Sequence, residues 1–272
     1  MPPEGARSLH VATAIGENAL IAFSTALVVL LLLAGAAWLA VHRHYIRRHS
    51  LPDTADARAL SATWILGFAA ILAAALAFAT MPGWIVVDGW LALADQALTD
   101  AIRRTVSPPI LQVFAAVTVL ANTPVLWAIA IFGTVILLWR REYALACFWV
   151  AAIGGNGILT RALKSVFARD RPLFEHGLFT VQGWSFPSGH SSGAVAAYGA
   201  LAYVLIRSTP VAWHLPIVLL ATTIAFTTGC SRIFLQVHYA SDVAAGFASG
   251  LAWLAVCVIA AELSRGSNQR AN

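Results

Sequence analysis

Charge is scarce in this chain and lysine almost missing. Only 11% of the 272 residues are charged, against 60% hydrophobic, and Lys164 is the single lysine among seventeen basic residues. A water-soluble domain carries about 25% charged residues, so a soluble protein is excluded. Cysteine is sparse too: Cys147, Cys230 and Cys257 lie in or beside apolar segments, with no CxxC or Cys/His spacing. That excludes a disulfide framework and a zinc site. There is no internal repeat, no low-complexity tract and no linker, so the chain reads as one bundle with short loops. The net charge of +5 is spread among loops, which argues against a nucleic-acid surface and fits orientation in a membrane.

What the chain has in abundance is long apolar runs. A run of about 20 residues spans a hydrocarbon core of about 30 Å, and several occur. The first, 19–40, exceeds the core of a signal peptide and reads as an uncleaved anchor. It ends in a basic loop containing Arg43, Arg47 and Arg48, expected on the cytoplasmic side. A second span, 60–80, closes at Met81-Pro82-Gly83. The segment 88–104 has apolar residues at helical spacing, with acids early and arginines late; it is expected to lie flat on the outer surface. The run 110–139 is longer than a bilayer needs, and Asn122-Thr123-Pro124 marks its break. Arg140-Arg141 is a tight cytoplasmic turn, 143–167 returns outward, and spans follow at 188–206, 213–229 and 243–263. The fold class is therefore all-α: a polytopic membrane bundle with a six-helix core and one extra N-terminal transmembrane helix. The expected division is 1–59, the first helix and its basic loop, and 60–272, the membrane domain that carries the function.

With that topology three polar clusters emerge at the same face. The first runs from Lys164 to Arg171-Pro172. Seven residues is two helical turns, so both cations are expected on one face of a helix that Pro172 stops, where they suit an anion. The second is Pro187-Ser188-Gly189-His190, opening a span. A helix N-terminus offers unpaired N–H groups and a positive dipole end; glycine permits close approach and the serine adds a donor. The third is Ser231-Arg232, then His238 and Asp242. At i and i+4 the carboxylate can fix the imidazole tautomer and leave the other nitrogen free to attack, while Arg232 offers a planar fork to phosphate oxygens. His-x3-Asp is a thin ligand set for a metal; none is expected. Arg161 reads as helix packing, Arg169 and Asp170 as a solvated loop pair. Phe174, Phe179, Trp184 and Phe186 are candidates for admitting lipid tails.

Taken together, Lys-x6-Arg-Pro at 164–172, Pro-Ser-Gly-His at 187–190 and Ser-Arg-x5-His-x3-Asp at 231–242 resemble the three-part signature of the type 2 phosphatidic acid phosphatase (PAP2) family, which shares its site with vanadium haloperoxidases. The resemblance covers about 60–262 and matches in identity, spacing and order. It implies metal-independent and cofactor-free hydrolysis of a lipid phosphate monoester or diphosphate through a phosphohistidine. His238 would be the nucleophile, oriented by Asp242, and His190 the general acid and base. Lys164, Arg171, Arg232, Ser188 and the Gly189 backbone would bind the phosphate. The implied partners are a lipid phosphate and membrane lipids, with no nucleic acid. The implied location is a bacterial inner membrane, with the site facing outside. A lipid-to-lipid phosphotransferase using the same residues, and a non-catalytic transporter or scaffold, are the alternatives. Neither the lipid nor the role of helix 19–40 is legible here.

Overall fold

The computed structural model describes residues 3–48, 89–172 and 183–271; the expected span 60–80 and the loop residues Phe174 and Phe179 lie outside them. The described chain is helical without strands: α1 (Pro3–Glu17), α2 (Ala19–Arg48), α3 (Trp90–Thr105), α4 (Pro108–Thr118), α5 (Thr123–Trp139), α6 (Tyr143–Phe167), α7 (Gly189–Ser208), α8 (His214–Phe234) and α9 (Ala240–Ala271). Among the described residues, Ala19–Ala40, Pro108–Trp139, Tyr143–Phe167, Val211–Phe234 and Ala240–Arg265 are long and apolar enough to cross a membrane. The protein is an integral membrane protein.

The break in the run 110–139 is a 3-10 turn at Val119–Ala121, with Asn122 capping α5 and Pro124 in its first turn. Proline suits that place because its missing N–H has no helical partner there. Arg140 and Arg141 make the expected turn, Arg141 with a φ of 60°. The basic stretch after Ala40 is not a loop, since α2 continues to Arg48.

α7 is the central helix and is not one of these five apolar spans, although 188–206 was expected to be one. Its composition explains this: ten of its residues are buried, among them Ser191, Ser192, Gly193, Ala194, Ala196, Ala197 and Ala200. Small side chains let neighbouring backbones approach closely in a membrane bundle. Gly246 and Gly250 of α9 complete that approach. A Cβ at Gly246 would lie 2.5 Å from the Ser188 carbonyl oxygen, and one at Gly250 2.8 Å from that of Ser192. Lipid-facing helices show the opposite pattern, with Ile131, Phe132, Val135 and Trp139 of α5 exposed.

α3 is covered by the protein itself, and one of its acids, Asp95, is buried. α1, which the sequence reading did not separate, packs along it so closely that a Cβ at Gly16 would lie 2.5 Å from Ala101 Cβ, and Thr105 donates to the Gly16 carbonyl at 3.2 Å. The buried face of α3 holds Asp95, Thr99, Ala101 and Ile102. From α2, Phe23 packs edge-on against Phe114 and Phe234, which stack at 4.0 Å between centroids.

Candidate active site

Four helix ends meet at one end of the bundle: the C-termini of α6 and α8 and the N-termini of α7 and α9. The eight residues singled out from the sequence lie on or beside these ends.

Lys164 and Arg171 converge, but not by helical spacing. α6 ends at Phe167, and Ala168 takes a left-handed conformation (φ 41°) that caps it. Arg171 therefore sits beyond the helix. Its Nη1 donates to the Val237 carbonyl at 2.7 Å, its Nε to Gly183 at 2.9 Å and its Nη2 to Trp184 at 3.2 Å. Lys164 Nζ donates to the carbonyls of Trp184 and Ser185. The two cations thus pin the segment 183–185 over the site.

Ser188 caps α7 and is fully buried. Its Oγ accepts from Ser191 Oγ at 2.9 Å, and its N–H donates to the Asp242 carbonyl at 2.9 Å. Beside it Gly189 leaves room: a Cβ there would meet Thr160 Cγ2 at 3.7 Å and Lys164 Cε at 4.0 Å, ordinary contacts. The His190 ring follows, its Nε2 2.8 Å from Asn122 Oδ1. An amide oxygen only accepts, so Nε2 carries a proton and Nδ1 is left for exchange. Arg232, His238, Arg171 and Lys164 are all close enough to His190 to act on it electrostatically.

Arg232 is in the last turn of α8, 3% exposed, with Nη1 donating to Thr118 at 2.9 Å. Its buried Nε has no partner among the described residues. A buried guanidinium N–H left unpaired is costly, and an anion in the site would satisfy it.

His238 and Asp242 pair, though His238 lies before α9 rather than on it. Tyr239 is the N-cap, and the Asp242 side chain reaches back to its N–H at 2.9 Å, one half of a capping box. That bend sets His238 Nδ1 3.4 Å from Asp242 Oδ2. Nε2, the opposite nitrogen, sits 3.1 Å from Arg171 Nη1, so its lone pair faces a cation. Burial pulls the His238 imidazole down to about 4, against the upward influence of Asp242; it is neutral at physiological pH.

Three groups around this pair were missed in the sequence. Ser185 Oγ is 2.5 Å from Asp242 Oδ2 and 3.2 Å from His238 Nδ1, bridging the two. Arg169, expected as part of a solvated loop pair, is largely buried instead. It donates to Asp242 Oδ1 and Ser241 Oγ at 2.7 Å and to Asp95 Oδ2 at 3.0 Å, and it lies over the Tyr239 ring at 4.4 Å. Its charge is costly to bury, but Asp242 and Asp95 outweigh that cost and raise its pKa. Asp95 also accepts from the Ser241 hydroxyl and, at 3.1 Å, from its N–H. Burial raises the Asp95 carboxyl, with Ser241 and Arg169 opposing. The signal the sequence held for both is a charge placed close to an apolar span, where it is costly without a partner. Phe186 does not face lipid: it is fully buried against Phe167, ring centroids 5.0 Å apart.

A membrane-embedded helical bundle whose neutral histidine and carboxylate lie beneath converging cations defines the class, an integral-membrane phosphatase. Residues 145–265 match the model of the PAP2 superfamily. The chain is 33% identical over 161 residues to phosphatidylglycerophosphatase B of Bacillus subtilis (strain 168), covering 58% of this chain and 78% of that protein. It belongs to the PAP2 superfamily. It is also 31% identical over 130 residues to a lipid A 1-phosphatase of Rhizobium johnstonii, covering 43% of this chain and 49% of that one. Its fold is similar to the crystal structure of a transmembrane PAP2-type phosphatidylglycerolphosphate phosphatase from Bacillus subtilis. There the TM-score is 0.63 at 27% identity, over 74% of this chain and 97% of the other.

Proposed function

We propose that this chain hydrolyses the phosphate ester or diphosphate of a membrane lipid through a phosphohistidine, at the extracytoplasmic face. The observation that carries the reading is a groove of about 610 Å³. At one end it is lined by Lys164, Gly189 and His190, and along its length by apolar residues such as Leu126, Trp127 and Ile153. A phosphate site that opens into hydrocarbon-lined space suits an amphiphile whose head reaches the cations while its tails stay in the bilayer.

In the first step His238 Nε2 attacks phosphorus and the bond to the leaving oxygen breaks, while His190, protonated at Nδ1 once the bound phosphate offsets the surrounding cations, gives that oxygen the Nδ1 proton and keeps its Nε2–H on Asn122. Asp242 and Ser185 hold Nδ1–H, which keeps Nε2 as the nucleophile. Lys164, Arg171, Arg232, the Gly189 N–H and the Ser188 hydroxyl meet the charge on the equatorial oxygens; fixed positive charge and positioning are the main sources of rate in phosphoryl transfer. In the second step His190 takes a proton from water, which attacks phosphorus and breaks the P–N bond. Inorganic phosphate leaves.

The test is phosphate release from lipid phosphates by purified protein in chelator. His238→Ala should abolish it and trap no labelled phosphoenzyme. Undiminished release by that variant would overturn the reading.

A further inference from the structure

α6 carries one more cation along the groove. Arg161 lies one helical turn before Lys164 and lines the same space as Lys164, Gly189 and His190. It was expected to pack against a neighbouring helix, but its side chain is exposed. The other cations of this region have partners inside the protein: Lys164 and Arg171 on loop carbonyls, Arg232 on Thr118, Arg169 on Asp95 and Asp242. Among the described residues Arg161 has no hydrogen-bond or ion-pair partner. It lies six residues before the end of α6, about 9 Å along the axis from it, within the apolar span Tyr143–Phe167, and an ionisable residue within such a span calls for a named partner.

The groove supplies the chemistry of that partner. His190, which protonates the leaving oxygen in the reading above, lines the same groove as Arg161, so the leaving group lies on this side of the phosphate. Side chains at i and i+3 start about 5–6 Å apart. That separation places a guanidinium one group further along the head than the phosphate held by Lys164. Its planar fork matches phosphate oxygens bidentately.

We propose that Arg161 binds a second phosphoryl group in the leaving group, which is a lipid phosphate when the two are directly linked and a phosphoryl-bearing alcohol when glycerol bridges them. The enzyme thereby selects lipids with two phosphoryl groups, either directly linked or bridged by glycerol, over lipids with one. The inference rests on the lipid phosphatase reading and deepens it. In a glycerol-bridged lipid the second group is remote from the breaking bond, so its contact contributes to binding of ground and transition states alike; in a direct diphosphate it is the leaving group and gains charge, so the contact is stronger in the transition state.

The experiment compares wild type, Arg161→Gln and Arg161→Lys in mixed micelles on three probes: phosphatidate, phosphatidylglycerol phosphate and a polyprenyl diphosphate. Wild type should favour at least one two-phosphate lipid in kcat/KM. In Arg161→Gln that preference should fall about tenfold to a hundredfold, as for loss of a charged hydrogen bond, mainly through KM on phosphatidylglycerol phosphate and through kcat as well on the diphosphate. Phosphatidate should fall by no more than about threefold, which also reports that the variant is folded. Arg161→Lys, with charge but no fork, should recover part of the preference. Which two-phosphate lipid loses more tells the direct linkage from the glycerol bridge. A parallel fall on all three probes, or a wild-type preference for phosphatidate, overturns the inference. A wild type that releases phosphate from none of the three fails the lipid phosphatase reading itself, and this inference with it.

Discussion

At His238 burial and hydrogen bonding pull in opposite directions, and burial wins. A group with a folded pKa below its unfolded value of 6.5 favours the native state above that value, and the contribution is lost as pH falls through 6.5 toward about 4. The melting temperature in detergent should therefore drop more steeply between pH 7 and pH 4 for wild type than for His238→Gln; equal slopes would contradict the assignment. Ser185 acts at the same point. Removing its hydroxyl leaves the imidazole to a 3.4 Å contact with Asp242, so Ser185→Ala should lower kcat about tenfold, the scale of one hydrogen bond to a charged group, with KM little changed. Asn122→Ala should act similarly through His190, and steady-state kinetics on one lipid phosphate would check both. The two histidines were legible from their motifs. Ser185 and Asn122 were not, because a serine before Phe-Pro and an asparagine at a helix break are equally well read as local backbone features.

Among the elements, α3 is the one whose role changes most between sequence and structure. Its Asp95 ties Arg169 and the start of α9 together through Ser241, so an amphipathic helix becomes a brace for Asp242. Truncating one member of a buried ionic network costs up to about 3–5 kcal/mol. Asp95→Ala should therefore lower both the unfolding midpoint and kcat, whereas Asp100→Ala, on the more exposed side of the same helix, should change neither. Close packing of α7 against α9 gives a second contrast. Gly246→Ala must push against the Ser188 backbone, so it should disturb the Pro187–His190 segment and lose most activity. Gly189→Ala meets only ordinary contacts, so it should fold normally and lose activity through obstruction of the phosphate alone. Thermal unfolding monitored beside activity separates the two outcomes. Periodicity in α3 marked a helix, but the 146 residues between Asp95 and Ser241 put the brace beyond any local pattern.

For the whole molecule, antiparallel passage of α6, α7, α8 and α9 brings their ends to one face, with the Arg140-Arg141 turn at the other. If the site opens outside the cell, an impermeant maleimide should label Asp170→Cys in intact cells and Arg140→Cys only after permeabilisation. The reverse pattern would invert the proposed orientation. α1 and α2 are built into this body through Gly16 on α3 and Phe23 on the Phe114–Phe234 stack. Deleting 1–40 should therefore expose an aromatic cluster and lower the unfolding midpoint.

Hydropathy, arginine placement and three spaced clusters determined by themselves that this is a helical membrane bundle with eight candidate site residues near one end, because apolar run length and cap chemistry are local properties of the chain. Only tertiary structure decided that Arg171 reaches His238 by a left-handed turn at Ala168, that Arg169 and Asp95 are buried partners of Asp242, and that Arg161 lines a groove beside Lys164. Each of those facts depends on which helix ends meet, and that is set by how closely the small residues of α7 let their neighbours approach.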